Sequence, residues 1–180
     1  MNLVESEFMK SLYLLRHAKS SWSVAELGDQ QRPLNKRGLS DAPMMGKRFT
    51  ERGELLDYVV SSPALRAHTT AELFAHSCGL AIDAIEINPD LYFLGSGSIE
   101  DAILTQDDRL NSLMLVFHNP DITHFANSID YEFHVDNMPT CGLIKLNCDI
   151  AQWRDWSRSN TAFEYFDFPR NVWEVVQSSP

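Results

Sequence analysis

Two short apolar runs each end abruptly on a histidine: Ser11 to Leu15 runs into Arg16-His17, and Leu113 to Phe117 runs into His118-Asn119-Pro120. Unbroken apolar runs of this length predict strands buried on both faces, the condition of a mostly parallel sheet covered by helices. Such a strand hands the polar residues that follow it to its carboxyl edge, where open α/β sheets hold their ligands. One pattern thus constrains fold and candidate site together: an α/β sheet presenting two histidines at one end.

The remaining elements agree. Tyr58 to Ser61 is a further buried strand, Ile85 to Ile87 a weaker one, and Gly142 to Leu146 and Ala162 to Phe168 complete the set. The last is placed nearer an edge because Glu164 and Asp167 interleave its apolar residues, and Pro169 ends it. Helical patterns fall between the strands. Ser40 is expected to cap a helix reaching about Arg52, with Ala42, Met45 and Phe49 at helical spacing and Pro43 in its first turn. Ser62-Pro63 offers an N-cap and a first-turn proline for a second helix that turns Ala64, Ala67, Ala71 and Phe74 inward and stops at Gly79. After a Gly95-Ser96-Gly97 loop, Ser98 with Asp101 resembles the cap of a short third helix. No element is assigned to Asp149 to Asn160 or to the tail after Arg170. The expected fold is a three-layer α/β sandwich, a mostly parallel mixed sheet flanked by helices. Residues 9–180 are expected to form one domain, preceded by an extension over residues 1–8.

Composition narrows the functions available. With 180 residues, 44% of them hydrophobic, the chain can bury a full core without disulfide staples. Fifteen basic residues against twenty-five acidic give a net charge of −10, which repels nucleic-acid backbones and anionic membrane surfaces alike. Met1 to Lys10 carries Glu5 and Glu7 and lacks the basic start and apolar run of a secretory signal, so a cytoplasmic location and a monomer are expected. Cys78, Cys141 and Cys148 are odd in number and contain no CxxC pair, which suits reduced thiols better than a disulfide framework or a zinc site.

Arg16, His17 and His118 end separate strands, and Arg66 lies in the first turns of the helix that follows another. Each taken alone has a plain explanation. Strand-end histidines are commonly structural, an early-helix arginine commonly faces solvent, and His-Asn-Pro is commonly a turn. Together they fall where one fold would aim them all at one crevice. Two forked guanidiniums suit the spread negative charge of a phosphoryl group, and two imidazoles can attack, accept protons or donate hydrogen bonds near neutral pH. His68, His76, His124 and His134 show no ligand spacing and read as solvated or packed. Trp22, Trp153, Trp156 and Trp173 suit packing or a protein-docking surface, and the sequence does not choose between these.

Leu12-Tyr13-Leu14-Leu15-Arg16-His17-Ala18-Lys19-Ser20 resembles the signature of the histidine phosphatase (phosphoglycerate mutase-like) superfamily, in the variant of the small SixA-type phosphohistidine phosphatases. Arg32 to Gly38, Ser61 to Ala67 with Thr70-Ala71, Leu91-Tyr92, His118-Asn119-Pro120 and Met138-Pro139-Thr140 resemble that subfamily's further blocks in the same order, from about Met9 to Pro169. The resemblance implies a phosphoglycerate mutase-like fold and a phosphatase with no metal and no cofactor. It implies that His17 is the nucleophile, that Arg16 and Arg66 hold phosphoryl oxygens and that His118 completes the pocket. Lys19 and Ser20 add contacts at the pocket edge. The implied partner is a phosphorylated protein of the histidine phosphotransfer type, or a small phosphorylated substrate.

Three departures accompany the match. Ala18 stands where the superfamily commonly has Gly beside the nucleophile. Phe117 stands where a Gly commonly precedes the second histidine, which implies a bulkier pocket wall. Members acting on phosphate esters often carry an acidic residue after the third strand, yet Pro89 to Gly97 contains only Asp90, and Asp121 is the other conceivable proton donor. The general acid is left unassigned. Two rivals to phosphohistidine hydrolysis follow: a phosphatase of small phosphate esters, and a catalytically silent phosphate-recognition module. His17 argues against the latter, since a pure binder needs only the arginines.

Overall fold

The computed structural model describes residues 9–23, 27–92 and 95–171. The extension expected over residues 1–8 lies outside them, as does the tail from residue 172 onward.

Strands β1 (Met9–Arg16), β2 (Tyr58–Ser61), β3 (Ile85–Ile87), β4 (Ser112–Phe117), β5 (Leu143–Asp149) and β6 (Thr161–Asp167) form one six-stranded sheet in the order β3-β2-β4-β1-β5-β6. The pairings among β3, β2, β4 and β1 are parallel, and β5 and β6 add antiparallel pairings on the far side. The α/β class, the mixed and mostly parallel sheet and the edge position of β6 are as the sequence implied. Asp167 does not face solvent there: it is buried and receives hydrogen bonds from Arg48 and Arg52 at 3.1 and 3.2 Å, so the polar residue that suggested an edge anchors β6 to a helix.

Helices α1 (Lys36–Glu51) and α2 (Leu65–Ser77) cover one face of the sheet; α3 (Ser96–Leu104) and α4 (Asp121–Asn127) cover the other. The alternation of strand side chains explains why β1 and β4 read as continuous apolar runs. Leu12, Leu14, Leu113, Leu115 and Phe117 pack with α3 and α4, while Tyr13, Leu15, Met114 and Val116 pack with Phe49 of α1 and Phe74 of α2. Burying each such large side chain contributes about 1.5–3 kcal/mol. Phe117 therefore lies in the core, and the bulkier pocket wall expected from it is not found: strand alternation turns its ring to the α3–α4 face, away from the sheet edge.

Helix starts differ from the sequence reading in an instructive way. Asn35, not Ser40, caps α1, its side chain accepting the Gly38 N–H at 2.9 Å, and Pro43 consequently sits inside the helix rather than in its first turn. Gly38 itself is required there, because a Cβ would lie 2.3 Å from the Lys19 carbonyl oxygen. The start of α1 is thereby pressed against the loop that follows His17. Helix α2 begins at Leu65 behind Ala64, which leaves Ser62 outside it, and α3 begins behind Gly95 at φ +86°, with Ser98 already in its first turn. Helix α2 ends at Ser77, with Cys78 as its C-cap and Gly79 at φ +76°, and Ala64, Ala67, Ala71 and Phe74 are buried as expected. Two 3-10 turns, Trp153–Asp155 and Arg158–Asn160, occupy the stretch left unassigned.

Burial holds the Cys78 thiol up at about 12 and the Cys148 thiol at about 11, and pushes Cys141 up as well, so all three free cysteines are chemically quiet. Trp153 and Trp156 are core residues, which settles them as packing; Trp173 lies outside the described residues. Among the described residues no helix is long and apolar enough to cross a membrane.

Candidate active site

Parallel register places the candidate groups at one edge. Arg16 of β1 pairs with Phe117 of β4, and Ser61 of β2 pairs with Val116, so the residues that follow these three strands emerge side by side. A cavity of about 330 Å³ opens there, lined by Arg16, His17, Lys19, Ser20, Arg66 and His118 among others. All six site residues read from the sequence thus line one space.

Backbone contacts lock the segment carrying His17. Its N–H donates to the Phe117 carbonyl at 3.1 Å, and the Cys141 N–H donates to the carbonyls of Arg16 and His17 at 3.1 and 3.2 Å. Thr70 of α2 accepts the Ala18 N–H at 3.0 Å and donates to the Arg66 carbonyl at 2.6 Å, which couples the histidine loop to the start of α2. Ala18 is fully buried in this clamp, so the methyl group that replaces the common Gly is accommodated by packing.

The ring of His17 is 7% exposed, and its Nδ1 lies 2.8 Å from the Ala18 carbonyl oxygen. A carbonyl can only accept, so Nδ1 carries the hydrogen and Nε2 keeps its lone pair. Burial, then His118, Arg66 and Arg16, hold this imidazole well below its ordinary pKa against the opposing pull of the Ala18 bond. His118 lies 5.1 Å from His17 between ring centroids, and its Nε2 is 2.7 Å from the Ser62 hydroxyl. The serine expected to cap α2 is used instead to orient the second histidine. Burial, then the arginines, push His118 down to about 3, so both rings are neutral near pH 7. Arg16 donates Nη1 to the Met138 carbonyl, and Arg66 is only 3% exposed.

Asp29, Arg32, Tyr92 and Trp22 take part without having been read from the sequence as site residues. Asp29, in a 3-10 turn (Asp29–Gln31), is the only carboxylate lining the cavity among the described residues. Its Oδ2 accepts from Arg66 Nη2 at 2.8 Å and from the Tyr92 hydroxyl at 2.7 Å, and its Oδ1 accepts from Arg32 Nη1 at 2.8 Å. Arg32 continues the chain, donating Nη2 to the Ser20 hydroxyl at 2.7 Å while its guanidinium lies over the exposed Trp22 ring, 3.2 Å from the centroid. Burial raises the Asp29 carboxyl, but hydrogen bonds from Tyr92, Arg32 and Arg66 outweigh that and hold it well below the usual carboxylate range. A signal was present in the sequence: Asp29 and Arg32 are spaced as an ion pair within one turn, and Arg32 and Tyr92 lie in matched blocks. Asp90 is exposed and Asp121 opens α4; neither lines the cavity.

Comparison with known proteins places this arrangement. The family model of the histidine phosphatase superfamily (branch 1) matches residues 12–111. The chain belongs to that superfamily. The matched stretch contains Arg16, His17 and Arg66 and stops short of His118, which the sheet register brings in. Among solved structures similar to this superfamily member is a protein of Agrobacterium tumefaciens with the provisional name phosphohistidine phosphatase SixA, at 26% identity and TM-score 0.72, covering 89% of this chain and 99% of that one. A protein histidine phosphatase SixA complexed with tungstate shares the fold at TM-score 0.73 and 19% identity, covering 88% of this chain and 97% of that one. A Yersinia pseudotuberculosis protein provisionally named phosphoglycerate mutase GpmB is 30% identical over 113 residues, 59% of this chain and 50% of that one. The chain spans about half the length of the first curated relatives it matches.

Proposed function

We propose that this superfamily member is a phosphohistidine phosphatase, acting through a covalent phosphohistidine on His17. The observation that carries the reading is the bond from His17 Nδ1 to the Ala18 carbonyl, at 2.8 Å, in a ring that lines the same cavity as Arg16, Arg66 and His118. It leaves a neutral Nε2 lone pair as the nucleophile beside cationic donors. In the first step Nε2 attacks phosphorus in line as the bond to the leaving group breaks. In the second, water attacks the phosphorus of the enzyme phosphohistidine, the P–Nε2 bond breaks and inorganic phosphate leaves, one proton of the water passing to solvent. Arg16 and Arg66 meet the charge on the equatorial oxygens in both steps, His118 completes the pocket, and Lys19 and Ser20 bound its edge.

The leaving group decides the substrate class. An alkoxide is strongly basic and needs a proton in the transition state, whereas an imidazole already protonated on its other nitrogen leaves as a neutral ring. The only carboxylate lining the cavity among the described residues, Asp29, is held ionised, so it carries no proton to give at neutral pH. Phosphohistidine in a histidine-phosphotransfer protein is therefore expected to be turned over much faster than phosphoserine, sugar phosphates or phosphoglycerate, with aryl phosphates between. The measurement is the ratio of kcat/KM values at neutral pH. Equal or better turnover of sugar phosphates would replace this reading with that of a small-ester phosphatase.

Acidity supplies a second test. A lowered folded-state pKa keeps the His17 imidazole neutral as pH falls through the ordinary histidine range. Once corrected for ionisation of the substrate, kcat/KM for an aryl phosphate is expected to stay level as pH falls through the ordinary histidine pKa of about 6.5. A tenfold loss per pH unit beginning near ~6.5 would mean that the nucleophile titrates normally.

A further inference from the structure

Arg66 reaches the cavity from the first turn of α2, and two of its donors go to one residue: Nη1 to the carbonyl oxygen of Asp29 and Nη2 to its Oδ2 at 2.8 Å. Two points of contact fix the plane of a guanidinium, which on a free side chain turns among many rotamers. The same carboxylate holds Arg32, whose other end is fixed by Ser20 and Trp22, and it takes the hydroxyl of Tyr92, whose ring stands edge-on to His118 at 5.5 Å. The Asp29 turn thus joins the loop after β1, the start of α2 and the turn after β3 around one wall of the cavity.

We propose that Asp29 is a positioning residue for phosphoryl recognition: it acts through Arg66, setting the plane of the guanidinium before substrate arrives. The inference rests on the phosphatase reading and assigns a task within that site to a residue with no role in the two chemical steps. A carboxylate beside an anion site looks counterproductive, and that gives the test its sign. By charge alone, removing Asp29 makes the cavity more cationic and tightens phosphate binding. By positioning, removal frees Arg66 and weakens binding, most of all in the transition state, where misplacement by about 1 Å costs on the order of 10²-fold.

The experiment measures binding of inorganic phosphate and tungstate, together with kcat and KM on an aryl phosphate, for wild type, Asp29→Asn, Asp29→Glu, Arg66→Ala and the double variant Asp29→Asn/Arg66→Ala. Asp29→Asn is expected to weaken both oxyanions about tenfold and to lower kcat more than it raises KM. Asp29→Glu keeps the charge but shifts it by a methylene, and is expected to weaken binding as well. In the Arg66→Ala background Asp29→Asn is expected to add less than about a twofold further loss, since its effect runs through the missing guanidinium. Thermal melts confirm folding, and Asp29→Glu alone decides the matter should the Asn variant misfold. Unchanged or tighter oxyanion binding in either Asp29 variant, or additive losses in the double variant, would overturn the proposal. A wild-type protein that binds neither oxyanion would overturn the phosphatase reading itself, a separate outcome.

Discussion

Replacing His17 by alanine is expected to abolish turnover, by on the order of 10⁴-fold or more, while the sheet and its helices stay folded. The expectation follows from what surrounds the ring. His17 is nearly buried, yet among the described residues the one hydrogen bond of its ring is the local one to the Ala18 carbonyl at 2.8 Å, and its other nitrogen is left to the cavity. The segment is held by backbone bonds, from His17 N–H to Phe117 and from Cys141 N–H to the Arg16 and His17 carbonyls, all of which alanine retains. The volume vacated joins an existing opening of about 330 Å³ and creates no sealed void in the core, so the melting temperature is expected to shift by only a few degrees. The other imidazole lining the cavity among the described residues does not replace the nucleophile, because His118 engages Ser62 through its Nε2. The check is labelled substrate quenched in alkali, since a phosphorus–nitrogen bond to imidazole does not survive acid. Wild type should carry label on His17 and the variant none. Turnover by the variant above about a tenth of wild type would remove His17 from the nucleophile's role.

The parts of this site visible in sequence are those tied to strand burial. The runs ending at Arg16-His17 and at His118 were legible because the middle of a strand covered on both faces is apolar, as Leu12 to Leu15 and Leu113 to Phe117 are, and the parallel register of β1 with β4 then puts both ends together. Caps were misread for a physical reason. A serine before a helix signals an N-cap only if its hydroxyl has no better partner, and that of Ser62 is taken by His118, 56 residues away. Asn35 displaced Ser40 because the helix begins where Gly38 permits close approach to Lys19, a tertiary contact that helical spacing cannot report. Phe117 stands beside His118 in sequence, but strand alternation turns its ring into the core with Ile99, Ile122 and Phe125, which a family comparison of residue types does not report. Asp29 was silent for the same class of reason: its partners Arg66 and Tyr92 lie 37 and 63 residues away, and in a loop with no period a carboxylate looks like any solvated one.

Arg66→Lys is expected to lower kcat/KM by on the order of ten- to a thousandfold, the second largest effect after loss of the nucleophile. Charge is conserved, so any loss reports geometry. Arg66 is 3% exposed, with two of its donors spent on Asp29 and the rest of the fork available to the cavity it lines. An ammonium can replace one of those functions but not both, because its three donors diverge from a point and do not lie in a plane matched to two phosphoryl oxygens. The fold should not respond, since α2 is held by Ala67, Ala71 and Phe74 on its inner face. The partition between constants is informative. In a loose transition state the charge spreads over the equatorial oxygens, so a forked donor gains strength as the reaction proceeds, and its loss should depress kcat more than it raises KM. Steady-state kinetics on phosphohistidine and on an aryl phosphate separate the outcomes. Near-normal kcat/KM on both would place Arg66 outside the reacting geometry, whereas a rise in KM alone would make it a binder of the ground state only.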